Sequence, residues 1–180
     1  MRKSFVTSAL VVLGLVLLSR NCFAAGDAAV LPVRIDRPVL VGASLTWPWV
    51  RSHDVTIPLP TLHLGVNLSP HLAVEVTGGW IPFGETGRLS MIDVGVRWLV
   101  MTDALAPYLL ARAGDYWNNA DEGGDRSYPF AAVGAGLDYS AGWGGAAWLE
   151  LGPALFSYSD GISSAIAVGF YASVGVGYRL

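Results

Sequence analysis

Beyond Pro38, every second residue is apolar along most of the chain. In TLHLGVNL, Leu62, Leu64, Val66 and Leu68 alternate with Thr61, His63, Gly65 and Asn67. In SMIDVGVRWLV, Ile92, Val94, Val96, Trp98 and Val100 alternate with Met91, Asp93, Gly95, Arg97 and Leu99. A repeat of two residues belongs to a strand with two unlike faces, whereas a helix repeats at about 3.6. The other runs are PVLVGASLTWPW, LAVEVTGGW, APYLLARAGDYW, FAAVGAGLDY, AWLELGPALFS and AIAVGFYASVGVGYRL, which makes eight. The pattern predicts an all-β chain of eight strands.

The connections alternate as well. SPH, MTDAL and SAGWGG are short turns, whereas VRSHDVTIPLP, PFGETGR, NNADEGGDRS and SDGISS are more polar. Short links between neighbouring runs predict an antiparallel up-and-down order. Turns at one end and polar loops at the other are the layout of a barrel that spans an outer membrane. The expected fold is therefore an eight-stranded antiparallel up-and-down transmembrane β-barrel over residues 38–180.

Composition decides which face points out. Hydrophobic residues make up 53% of the chain and charged residues 14%, against about 25% charged in an ordinary soluble domain. An exported soluble barrel would bury the aliphatic face and show the other to water. Here that other face is rich in Gly and Ala and poor in Lys, Glu, Ser and Thr, which suits the crowded inside of a narrow barrel. Aromatic residues of the aliphatic face fall at strand ends: Trp47 and Trp80 toward the loops, Trp98, Tyr139 and Tyr178 toward the turns. Two such girdles are expected where a barrel meets the two membrane interfaces. Each run of about ten residues is also long enough for a tilted strand to cross a bilayer.

The N-terminus reads as a signal peptide. Arg2 and Lys3 precede the apolar stretch Phe5–Leu18, and cleavage is expected after Ala24. A membrane anchor would need about 20 apolar residues, and acylation at Cys22 would follow Arg20 and Asn21 where small or apolar residues are usual. The expected organisation is a signal peptide at 1–24, a short periplasmic segment at 25–37 and the barrel at 38–180. Residues 25–180 carry eight Arg, no Lys and 14 acids, a net charge of −6, which argues against a nucleic-acid partner. With Cys22 removed, no disulfide is possible.

The closing YASVGVGYRL, the Gly-rich FAAVGAGLDY and the APYLLARAGDYW run after a short turn carry a resemblance. Residues 38–180 resemble the small eight-stranded outer-membrane barrels of the OmpA/OmpX type. The family usually ends in Phe or Trp where this chain has Leu180. The resemblance implies an outer-membrane location, a monomer, contact with membrane lipid and lipopolysaccharide, and handling by the barrel-assembly machinery. No peptidoglycan-binding domain is expected after strand eight.

The inward face carries Glu75, Asp93, Arg97, Arg112, Asp138, Glu150 and Arg179, with His63 among them. Four acids against three Arg and one His predict an ionic network that plugs the lumen, with Asp93 opposite Arg112 and Glu75 near Arg97. A narrow, porin-like channel is the functional alternative. Ser52, His53 and Asp54 lie together in one loop. Some small outer-membrane barrels are lipid A acyl hydrolases or transferases that use Ser and His, but neighbours on an extended loop diverge, while a nucleophile and its base must meet. Asp121, Glu122 and Asp125 cluster in another loop without the spacing of a calcium-binding loop. No metal, cofactor or enzymatic activity is expected; the expected role is structural or surface-exposed, in envelope integrity or adhesion.

Overall fold

A computed structural model describes residues 34, 36–50, 58–83, 87–120, 124–159 and 164–180. The eight strands are β1 (Val39–Val50), β2 (Leu59–Asn67), β3 (Leu72–Phe83), β4 (Gly87–Leu99), β5 (Leu105–Ala120), β6 (Gly124–Ser140), β7 (Gly145–Ser159) and β8 (Ser164–Arg179). They pair in sequence order, all antiparallel, and β8 pairs with β1 to close the barrel. The expected signal peptide at 1–24 lies outside the described residues.

Each pairing holds one register along its described length, and the registers together set the tilt. Direct partners lead from Leu40 through Gly65, Glu75, Gly95, Arg112, Ala132, Ala154 and Gly169 back to β1 at Val50, ten residues further on. Such a stagger around eight strands forces them to lean against the barrel axis and keeps the bore narrow enough for side chains to fill. The β6–β7 ladder omits Val133 and Gly134, where Pro153 has no N–H to give.

The β2–β3, β4–β5 and β6–β7 turns share one end of the barrel with Val39 and Arg179; the other connections share the opposite, loop end. Gly144 closes the β6–β7 turn at φ 103°, a conformation that side chains other than glycine rarely adopt.

The aliphatic face is the outside. Leu62, Leu151 and Ile166 are among its most exposed members, while Asp93 and Arg97, alternating with the exposed Ile92, Val94, Val96 and Trp98 on β4, are buried. Aromatic residues ring both ends of this apolar band. Trp98, Tyr139 and Tyr178 occupy the last register positions at the turn end. Trp47 and Trp80 lie toward the loop end, where the sequence reading missed Trp49, tilted against Phe170 at 5.9 Å.

Strands β5 and β6 run past the expected limits. Asn118, Asn119, Asp125 and Arg126 pair in the ladder, so most of NNADEGGDRS is hairpin and only 121–123 fall outside the described residues. Polar positions on both faces give no alternation to read, which is why these strand ends passed for loop.

One glycine shows how tightly the inside is packed. The Trp148 indole lies across β8, and a Cβ at Gly175 would fall 2.2 Å from it. The ring is 2% exposed, also lies over Gly42 of the neighbouring β1, where a Cβ would come within 2.7 Å of it, and faces the His63 ring at 4.7 Å. Gly175→Ala is expected to cost about 1–3 kcal/mol by overpacking, read as a lower urea midpoint of the folded barrel. Gly78→Ala, whose Cβ would meet nothing closer than 3.7 Å, is the matched control.

Candidate functional site

The inward charges expected from alternation converge. Arg112 on β5 bridges three strands, with Nη2 2.6 Å from both Glu75 Oε1 and Glu150 Oε1 and Nη1 2.9 Å from Asp93 Oδ1. Arg97 on β4 donates from Nη1 to Asp138 Oδ2 at 3.0 Å, and its Nη2 lies 2.8 Å from Glu75 Oε2 and 3.5 Å from Glu150 Oε2 as ion pairs. Arg179 Nη2 is 3.0 Å from both oxygens of Asp138, and its Nε donates to Ser140 Oγ at 3.0 Å. His63 Nε2 stands 3.3 Å from Glu75 Oε2. All these side chains are buried.

The pairs expected in the sequence meet, with a small change of register. Asp93 faces Gly114, and Arg112 faces Gly95, so their salt bridge is diagonal rather than directly opposite. The β4–β5 turn is centred slightly further along the chain than the spacing suggested. Gly95 makes room for the crossing: a Cβ there would come within 3.1 Å of Glu75 Cγ and 3.5 Å of Arg112 Cβ. Between two charged neighbours on the same face, the small residue leaves space for Glu75 and Arg112 to meet over its backbone.

Four contributors were missed. Tyr108 donates to Glu150 Oε2 at 2.8 Å, and Tyr171 donates to Glu150 Oε1. Their rings also lie under the guanidinium groups, Tyr108 4.2 Å from Arg97 and Tyr171 4.5 Å from Arg112, an arrangement that favours Arg over Lys. Trp148 roofs the same centre. Inward parity on β5, β7 and β8 could have found these three. The fourth, Arg34, precedes β1 and has no parity to read. Its Nη2 is 2.7 Å from Asp138 Oδ1 and its Nη1 donates to Asp103 O at 2.7 Å. The charge balance is therefore four carboxylates against four guanidiniums, not the three Arg and one His expected.

The network has two neighbours inside the barrel. A hydroxyl cluster joins Ser44, Thr46, Thr61 and Ser173 from β1, β2 and β8. Toward the loop end, Leu59, Leu89, Met91, Tyr116, Phe130 and Phe156 form an apolar layer over the charges. A small cavity near the turn end, lined by His63, Glu75, Arg97, Asp138 and Arg179 among others, is on the scale of a single water molecule. Every charged group of the network thus has a countercharge close by, an arrangement that ties the strands together across the lumen.

The remaining candidates fall elsewhere. Ser52, His53 and Asp54 lie outside the described residues, as do Asp121 and Glu122. Among the described residues, no group of three or more His, Cys, Asp or Glu side chains could hold a metal ion.

No protein-family model matches the chain, and no curated protein matches it in sequence. Solved structures do. The N-terminal β-barrel domain of Pseudomonas aeruginosa OprF is similar at a TM-score of 0.53 and 19% identity, over 80% of this chain and 98% of that one. Neisserial surface protein A is similar at a TM-score of 0.54 and 17% identity, over 79% of this chain and 96% of that one. Both align along nearly their whole length, so the likeness extends to strand number and closure. The chain has the fold of the small eight-stranded outer-membrane β-barrels.

Proposed function

We propose that this chain is a closed barrel of the outer membrane with a structural role in the envelope, its lumen plugged rather than conducting. The observation that carries the reading is the filling of the bore. Arg34, Arg179 and Asp138 occupy the turn end, Arg97, Arg112, Glu75 and Glu150 the middle, and the Leu59, Met91, Phe130 and Phe156 layer the loop end, all buried. An ion would have to break several charge-assisted bonds and then cross an apolar layer, each a costly step. The outward apolar band and its two aromatic girdles support placement in a bilayer.

On this reading the barrel exports no chemistry of its own. Its partners are membrane lipid and lipopolysaccharide, with the assembly machinery met during insertion, and it works as a monomer. In planar bilayers the purified barrel is expected to give no unitary current above the lipid background. Stable conductance steps that scale with the protein added would overturn the plugged lumen in favour of a narrow channel.

A further inference from the structure

We propose that the turn-end mouth of the barrel is a guanidinium socket, filled in cis by Arg34 of the segment before β1. The proposal builds on the plugged-lumen reading but concerns only how that mouth is closed. Arg34 is not placed by any strand ladder. Even so, its side chain is 3% exposed, where removing a guanidinium from water costs several kcal/mol unless bonds replace its hydration. The socket supplies them. Asp138 Oδ1 accepts from Nη2 at 2.7 Å, the Asp138 carbonyl accepts from the same nitrogen at 3.2 Å, and the Asp103 carbonyl accepts from Nη1 at 2.7 Å.

The backbone is held too. Asn67 Nδ2 donates to the Arg34 carbonyl at 3.0 Å. The acceptors come from the β4–β5 turn and β6 and the amide from β2, so one residue ties three parts of the rim together. Three acceptors set around two nitrogens match a planar fork and not a point charge. Asp138 also takes Arg97 and Arg179, and the fourth guanidinium brings the buried carboxylates into balance. The chemistry recognised is that of an arginine side chain, and the free counterpart is a small alkylguanidinium.

The test is limited proteolysis of the full exported chain, purified from membranes, with an endoproteinase that cuts after acidic residues. Asp36 is exposed beside the socket, and its cleavage reports undocking. In the folded wild type, cleavage after Asp36 is expected to be much slower than in the heat-unfolded chain. Arg34→Ala should speed it at least about tenfold, with Arg34→Lys in between. Millimolar methylguanidinium should slow cleavage of Arg34→Ala and leave the wild type unchanged. Equal rates for wild type and Arg34→Ala, or no response of that variant to methylguanidinium, would overturn the socket. Arg37 on the far side of the cut bond has its own anchors at Trp143 O and Tyr178 Oη, so if Arg34→Ala fails to assemble, Arg34→Lys decides: cleavage as slow as in the wild type overturns the proposal, and faster cleavage supports it. Bilayer conductance does not enter this outcome, so the socket and the plugged lumen fail separately.

Discussion

Arg112→Ala is expected to be the most damaging single truncation in the barrel, lowering stability by about 3–5 kcal/mol or blocking assembly outright. Its guanidinium is shared by Glu75, Asp93 and Glu150. These acids do not lose equally. Glu75 retains Arg97 and His63, and Glu150 retains Tyr108, Tyr171 and Arg97. Asp93 loses the one countercharge that the described residues give it. Asp93→Asn in the Arg112→Ala background should therefore restore part of the loss, because it removes the charge left most isolated. Arg112→Lys should fall between, since an ammonium cannot hold three carboxylates in the same plane. Urea midpoints and the fraction of protein showing heat-modifiable migration on gels would rank the variants. An Arg112→Ala barrel as stable as wild type would mean that the carboxylates are solvated and the core is not a dry ionic one.

Val94→Arg is expected to cost about 2–4 kcal/mol, the penalty for a cation facing lipid near the middle of a barrel. Val94 is 53% exposed and stands on β4 between its outward partners Val76 and Ala113. The same substitution on a water-facing surface would fall within about 0.5 kcal/mol of wild type. The urea midpoint in lipid vesicles therefore reads the environment of this face directly. A neutral result would place water, not lipid, outside β4.

The strands and their facing were legible in the sequence because one face of most strands repeats at Leu, Val and Ile, interrupted mainly by Ala and aromatic residues. Asp93 and Arg97 could be assigned inward on parity alone, since β4 has no bulge to shift it. What parity cannot supply is register between strands. That is why Asp93 was placed opposite Arg112 and is in fact diagonal to it. Nor does alternation speak where both faces are polar, so the hairpin ends around Asn119 and Asp125 passed for loop. Leu59 and Leu89 escaped notice because they lie beyond the lipid-facing stretch, where inward residues are apolar and outward ones include Pro60 and Arg88. Arg34 escaped for a different reason: it belongs to no strand, and its place is set by the socket that receives it. The small residues between the charges were visible throughout, but their purpose became clear only with the register. Gly95 leaves the gap through which Glu75 and Arg112 meet.

Two native tryptophans give the most direct test of a barrel turned apolar side out in a membrane. Trp98 is 56% exposed on the outer face and Trp148 is 2% exposed inside. The measurement is fluorescence quenching by acyl-chain-brominated phospholipid in vesicles, on two variants that each keep one of these residues, with the other tryptophans changed to Phe. Strong quenching of Trp98 with Trp148 left bright is the expected result. Quenching of Trp148 as strong as that of Trp98, or of neither residue, would contradict it.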